Sequence, residues 1–490
     1  MTVLHTASTP ADRPTTRPGS PVGAAVAVLS LGVFMSSLDL FIVNLAFPYI
    51  GRDYGGASIE SLSWVLNAYT IVFAAVLVPA GRWADRVGRR AVFGGGLALF
   101  TAGSAVCGIA PGIAVLIAAR VIQAVGAGML VPTSLSLLLA VVPPAQRARA
   151  IGTWSAVGAL GAGLGPVIGG LLVQENWRLV FWVNVPIGLA ALALTRRAVP
   201  ESKDPNAQPH PDIIGAVLFA LSIGVLALAL VKAPTWGWLS ARVLGLELAA
   251  IAGLGAVVVR SARHPAPIVE LPLLRLRSFS GAFGASVVYY AGFGAFVLNT
   301  VEFLTGQWHY SPVRAGLAIA PGPLCVLPFA RFVAPRLILR FGGPGPVALI
   351  GALVNAVGQT VLLFSLQATP AYLTHLLPAQ LIGGMGVGLT IPSLLGAGTS
   401  AVPPAWFGTG SGILNMGRQV GTVIGVAALV GVLSGLDPAD PLPTYRSGIA
   451  MIIGFFLATA VVAAATLVKP VRPAGIEPAA KCLEGTCSIR

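Results

Sequence analysis

Gly81-Arg-Trp-Ala-Asp-Arg-Val-Gly-Arg-Arg90 lies between two runs of twenty residues, 61–80 and 91–110, that contain no charge. About 20 apolar residues in a helix cross the hydrocarbon core of a bilayer. The segment therefore reads as a short connection between two membrane spans. Four Arg in so short a connection hold that end of both spans on one side of the membrane. An anchor of that kind needs no acid, so Asp85, set among the Arg side chains and suited to pairing with one of them, points to a function beyond anchoring.

Outward from this segment the same alternation of apolar run and polar break continues to both ends. Fourteen runs are predicted as spans: 24–47, 61–80, 91–110, 113–140, 150–173, 179–195, 213–231, 243–260, 280–304, 315–334, 345–366, 372–395, 408–434 and 447–468. Apolar residues make up 56% of the 490 and charged residues only 9%. Soluble domains carry about 25% charge, so this is an integral membrane protein. Transmembrane strands would show about ten residues of alternating polarity, and no such segment occurs. The fold class is thus all-α, with fourteen transmembrane helices.

The net charge of +14 raises the question of a nucleic-acid partner. Most of the 30 Lys and Arg, however, fall in the tails and in alternate connections, with Arg52, Arg178, Lys232, Arg242, Arg314 and Arg446 on the other side. That asymmetry is the positive-inside rule; no nucleic acid is expected. It predicts a multi-pass protein of the cytoplasmic membrane with both termini inside. Residues 1–21, rich in Thr, Pro and Arg and without an apolar core, are predicted to be a disordered tail and not a signal peptide; 469–490 form a second polar tail. Cys107 and Cys325 fall inside apolar runs as small packing residues, and Cys482 and Cys487 lie in the C-terminal tail, expected in the reducing cytoplasm.

Two inner connections are longer than the rest. Residues 196–212 form a polar linker; 261–279, with apolar residues broken by Arg and Pro, read as an interfacial stretch. They bracket an inserted helix pair, 213–260, between a six-helix bundle at 22–195 and another at 280–468. An internal repeat supports this division. VPPA at 142–145 recurs at 402–405, and in the same register Gly126, Gly128, Pro132, Gly152, Gly161 and Gly165 meet Gly386, Gly388, Pro392, Gly412, Gly421 and Gly425. In a nearby register GRWADRVG at 81–88 pairs with PRLILRFG at 335–342, where Leu339 stands in place of Asp85. Two pseudo-symmetric halves are how many secondary transporters build a midplane site.

The segment 81–90 resembles the signature of the major facilitator superfamily, and three further stretches resemble that family's branch of 14-helix drug:proton antiporters. These are LDLFIVNLAFP at 38–48, with Phe41 where the branch usually has Thr; Arg120-Val-Ile-Gln123 with Gly126 and Gly128, Ala124 replacing the usual Gly; and Gly161-Ala-Gly-Leu-Gly-Pro-Val-Ile-Gly-Gly170. WVLNAY at 64–69 and NWRLVFWVNVPIG at 176–188 add to it, so the resemblance covers nearly the whole chain. It implies a conformational lock of Gly81, Arg82, Asp85, Arg86, Gly88 and Arg89 that holds the outward-open state. With Leu339 in the repeat copy, such a lock is asymmetric. It also implies a hinge at Gly161, Gly165, Pro166, Gly169 and Gly170. The dense Gly allows close helix approach, and Pro166 adds a kink or stiff point.

The residues themselves carry a parallel reading. Asp39 lies about 22 Å into the first span at 1.5 Å per residue, where an acid costs roughly 2.5–3.5 kcal/mol on insertion scales. Removal from water favours the neutral acid, so Asp39 is a candidate to bind and release a proton. Arg120, deep in the fourth span, needs a carboxylate or carbonyl partner; it is expected to stabilise ionised Asp39 or polarise a proton route, with Gln123 on the same face. Asn44 fits either a substrate contact or an interhelical hydrogen bond. Arg418 fits either a substrate contact or a brace between the halves. Glu302, near the outer end of the ninth span and accompanied by Tyr289, Tyr290, Phe293, Phe296 and Phe303, suits a lipophilic cation; an interfacial Glu among lipid-facing aromatics fits it equally. Glu247 in the eighth span reads as lipid- or interface-related.

No phosphate-cradling loop, nucleophile–base pair or metal-ligand cluster occurs, and the five His are scattered. The chain is not expected to be an enzyme, to use ATP directly or to hold a metal or cofactor; the proton is the coupling ion. The expected function is secondary active export of small lipophilic molecules in exchange for protons, by a monomer. Asp39, Arg120 and Glu302 are assigned to proton coupling. Asp39, Asn44, Gln123, Tyr289, Phe293, Glu302 and Arg418 are assigned to the substrate cavity. The alternatives are export of an endogenous metabolite or lipid, and proton-independent uniport or import.

Overall fold

A computed structural model describes residues 22–468 apart from 56, 144–145, 204–210, 401, 403–406, 436 and 438–439. Both predicted tails, with Cys482 and Cys487, and parts of both VPPA copies lie outside the described residues. Among the described residues there is no strand, and fourteen helices are long and apolar enough to span a membrane. They are α1 Val22–Asp53, α2 Ile59–Val87, α3 Arg89–Gly108, α4 Ile113–Val141, α5 Ala150–Glu175, α6 Leu179–Ala198 and α7 Ile213–Trp236. The rest are α8 Ala241–Arg263, α9 Arg277–Gln307, α10 Pro312–Arg340, α11 Pro344–Ser365, α12 Tyr372–Thr399, α13 Thr409–Leu433 and α14 Leu442–Thr466. α10, with Pro at 312, 321, 323, 328 and 335, runs as Pro312–Ile319, Pro321–Pro328, a π turn at Phe329–Val333 and Ala334–Arg340.

The repeat seen in the glycines is a repeat of packing. α5 lies on α1 as α13 lies on α9, and α4 lies on α3 as α12 lies on α11. In lipid no hydrophobic force pulls helices together, so contact depends on close approach, which small residues permit. A Cβ on Gly161 would stand 2.6 Å from the Phe34 carbonyl, and one on Gly421 would strike the Val287 carbonyl. Gly126 backs on Phe100 and Gly386 on Asn355 in the same way. α7 touches both α2 and α13, one from each half, so the inserted pair covers the seam between the halves. α8 packs on α7 and leaves Leu248 and Ile251 exposed.

One reading of the connections needs correction. The 81–90 segment is not a loop: α2 continues to Val87, α3 begins at Arg89, and Gly88 alone makes the turn, at φ 132°. Gly81 is helical and forms no turn. In the stretch 261–279, Ala266, Ile268, Val269 and Leu273 are buried, and a short helix at Leu271–Leu274 carries the last of them against the bundle.

Both connections that flank the inserted pair reach the 81–90 turn. Glu270 pairs with Arg82. Glu201 accepts the main-chain N–H of Arg90 at 2.9 Å and of Ala91 at 3.2 Å, satisfying donors that a helix N-terminus leaves open. At the other end of α7, Lys232 pairs with Glu60 on α2.

Gly88 has a backbone conformation that other residues adopt only with strain, and a Cβ there would stand 2.9 Å from the Glu201 carboxyl. A Cβ on Gly81 would make only an ordinary 3.5 Å contact with Pro132. Gly88→Ala is expected to cost about 1–3 kcal/mol, read as a lowered melting temperature of the purified protein, while Gly81→Ala leaves it nearly unchanged. Equal shifts for the two would contradict this account of the turn.

Candidate functional site

The pattern of exposure along α1 sorts its residues into two faces. Phe34, Ser37, Phe41, Asn44 and Pro48, spaced by three and four, are half-buried, and Asp39 on the opposite side is fully buried. Asp39 therefore faces the interior of the first bundle, where four other helices, α2, α3, α4 and α6, supply its surroundings. One carboxylate oxygen accepts from Arg120 Nη1 on α4 at 2.5 Å. The other accepts from Gln123 Nε2 at 2.8 Å and from Asn184 Nδ2 on α6 at 3.3 Å.

The cluster extends outward from that pair. Arg120 Nη1 also donates to Gln123 Oε1 at 2.8 Å, and Arg120 Nε donates to the Val65 carbonyl on α2 at 3.1 Å. The guanidinium lies 3.9 Å from the ring centre of Tyr69, a cation–π contact that costs it no proton. Ser104 on α3 accepts from both Gln123 and Asn184 and donates to the Phe181 carbonyl. Cys107 is more than packing, since its Sγ contacts Gln123 Oε1 at 3.8 Å. Among the described residues Arg120 Nη2, Asn67 Nδ2, Tyr69 Oη and Asn184 Oδ1 have no hydrogen-bond partner, so the cluster has polar capacity to spare.

The sequence placed Asp39, Arg120 and Gln123 together correctly and missed Asn184, Ser104 and Tyr69. Asn184 and Tyr69 lie in stretches already singled out, and the signal for Asn184 was a polar side chain inside an apolar run. The expected substrate-cavity set does not converge. Asp39 and Gln123 are enclosed by the first bundle. Tyr289 is buried too, its hydroxyl accepting from Asn355 Nδ2 at 3.2 Å. Glu302 stands about 18 Å along α9 from Tyr290 at 1.5 Å per residue, so it joins neither Asp39 nor Arg418. The Tyr445 hydroxyl donates to its main-chain carbonyl, and one of its carboxyl oxygens is buried without a partner among the described residues. Asn44 donates to the Leu40 carbonyl of its own helix and makes no interhelical bond among the described residues.

Asn44, Phe293 and Arg418 do lie on partly exposed faces. Phe293 meets Phe41 edge-on at 6.2 Å, a contact between the halves. The halves also meet along α5 and α10. Gly161, Gly165 and Gly169 press on α1, whereas a Cβ on Gly170 would stand 2.5 Å from the Pro312 carbonyl, and Gly316 backs on the Pro166 carbonyl. In the 81–90 segment Asp85 pairs with Arg89 at 2.8 Å, and Arg86 is exposed.

The folding pattern and this cluster define a multi-pass membrane transporter. The chain belongs to the Major Facilitator Superfamily, whose model matches residues 29–426, and it is a transporter rather than an enzyme. It is 35% identical over 435 residues to the multidrug resistance protein Stp of Mycobacterium tuberculosis, covering 86% of this chain and 80% of that one. It is 30% identical to the methylenomycin A resistance protein of Streptomyces coelicolor (89% and 91% covered) and 32% identical to the tetracenomycin C resistance and export protein of Streptomyces glaucescens (89% and 80%). Its fold is similar to a peptide transporter POT crystallised with sulfate, at TM-score 0.66 and 19% identity over 90% of this chain and 94% of that one.

Removing one partner of a buried ion pair strands the other charge and costs about 3–5 kcal/mol. Asp39→Ala and Arg120→Leu are each expected to lower stability by that order. The double variant should lose clearly less than the sum. Additive losses, measured by thermal melting of the three purified variants, would show that the two side chains do not hold each other.

Proposed function

We propose that this transporter exports small lipophilic molecules across the cytoplasmic membrane in exchange for protons. The observation that carries the reading is the Asp39–Arg120 pair, a titratable carboxyl held fully buried by hydrogen bonds from α4 and α6. Acids at such depth in membrane proteins mark proton relays and ion pathways. Asp39 is the coupling carboxyl. Arg120 and Gln123 hold its ionised form, and a proton arriving from outside releases Arg120 from it. Glu302, a buried carboxyl near the opposite end of the second bundle, is a second place where a proton can bind.

The remaining assignments follow from this scheme. The seam at Gly170, Pro166, Pro312 and Gly316 seals the outer path, with the α5 glycines as its hinge. The Asp85–Arg89 pair, with Arg82 tied to Glu270, forms the inner lock. Both termini lie in the cytoplasm, and a single chain contains the whole machinery. The relatives named for resistance support foreign toxic compounds as cargo. A second reading, export of a product made by the same cell, is favoured by the relative whose name joins resistance with export.

The test is dye and drug efflux in everted vesicles. Wild-type protein is expected to move its substrates only while a proton gradient stands, and Asp39→Asn is expected to slow that movement about tenfold or more, roughly 1.4 kcal/mol or above in the transport barrier. Movement that persists after the gradient is collapsed, or an Asp39→Asn variant that transports normally, would refute proton coupling.

A further inference from the structure

We propose that Arg418 on α13 recognises an acidic group, such as a carboxylate or phenolate, on a flat lipophilic substrate lying in the seam between the two halves. This rests on the transport reading above and names the class of molecule that such a transporter selects. Arg418 lies about 14 Å from one end of α13 and about 22 Å from the other at 1.5 Å per residue, close to the middle of the membrane. Four polar residues spaced as a helical stripe, Ser411, Asn415, Arg418 and Thr422, are half-buried there, and every other residue from 413 to 423 is buried. A helix enclosed on its other sides thus leaves one polar stripe partly accessible.

The charge on that stripe is uncompensated by the protein. Among the described residues Arg418 has no carboxylate within ion-pair distance. Its Nη1 donates to Asn415 Oδ1 at 3.0 Å, one turn back on the same helix, and its Nε is buried with no hydrogen-bond partner among the described residues. Asp39 and Arg120, also deep in their spans, neutralise each other inside the first bundle. Glu302, about 18 Å further along α9, is out of reach. A planar guanidinium with its Nε donor free matches a carboxylate or similar oxyanion.

Its contacts also decide between the two roles open to Arg418. A brace between the halves would bond a residue of α1 or α2. Instead the guanidinium lies 4.7 Å from the ring centre of Tyr290 on α9, within its own half. That ring continues into Phe293, which meets Phe41 across the seam. An aromatic wall beside an unpaired cation accommodates a flat ring system carrying a negative charge. A lipophilic cation would gain from the rings but be repelled by Arg418.

Fluorescein and rhodamine 6G share a three-ring xanthene frame and differ in charge, so they serve as probes. Binding to full-length protein in nanodiscs is read by fluorescence polarisation, and transport is read in proteoliposomes with and without a proton gradient. Arg418→Gln is expected to weaken fluorescein binding about tenfold while changing rhodamine 6G by less than about twofold. Arg418→Lys should fall between, keeping the charge and losing the planar fork. Melting temperatures of both variants should stay near wild type. Loss of both dyes together with a fall in melting temperature would make Arg418 structural and overturn the assignment. So would unchanged fluorescein binding in Arg418→Gln, or a wild-type protein that binds rhodamine 6G alone or neither dye. Arg418-dependent fluorescein binding without gradient-driven movement would instead sink proton-coupled export and leave this site standing.

Discussion

A charge held in the middle of a bilayer has no water to turn to, so its partner must come from the protein. Asp39 and Arg120 meet that constraint by meeting each other, and the first bundle is organised around their meeting. Every helix that touches the pair contributes a polar atom or a ring: the Val65 carbonyl and Tyr69 from α2, Ser104 from α3, Gln123 from α4 and Asn184 from α6. A neutral pair satisfied in this way is compatible with lipid on all sides.

The second bundle shows what the repeat preserved and what it abandoned. Helix contacts recur: α13 on α9 follows α5 on α1, and the glycines that permit one contact permit the other. The chemistry does not recur. Among the described residues no buried acid of the second half is paired with an Arg as Asp39 is, and Arg418 keeps an open donor on a half-buried face. Close packing is a property of small residues at fixed spacing, so duplication transmits it easily. An ion pair needs two particular side chains and is lost with either.

The inserted pair α7–α8 is tied into both the seam and the turn at Gly88. α7 lies on α2 and α13 together, and the connections on its two sides supply Glu201 and Glu270 to the Arg-rich turn. None of this was legible beforehand. Glu201 stood in a linker that read as merely polar, and Glu270 in a stretch that read as interfacial, because neither carboxylate shows its partner until the chain has folded back on itself. The turn was misread for a related reason. Arg and Asp look like a loop between apolar runs, but their charged ends reach water from a helix that continues to Val87.

The number of spans, their order, the two-part repeat and the membership of Asp39, Arg120 and Gln123 in one cluster were determined by the sequence alone. Span length is a one-dimensional quantity, set by 1.5 Å per residue against the bilayer's thickness, and a lone acid and base in apolar runs have few partners to choose from. Which way each side chain faces was decided only by the tertiary structure. Asp39 and Phe41 are two residues apart and about 200° apart around α1, so one is sealed inside the bundle and the other meets Phe293 across the seam. Polarity gave no warning, since a span apolar all round has no amphipathic stripe to set its rotation. That rotation is chosen by where neighbouring backbones can approach, and the glycines of α5 and α13 make the choice.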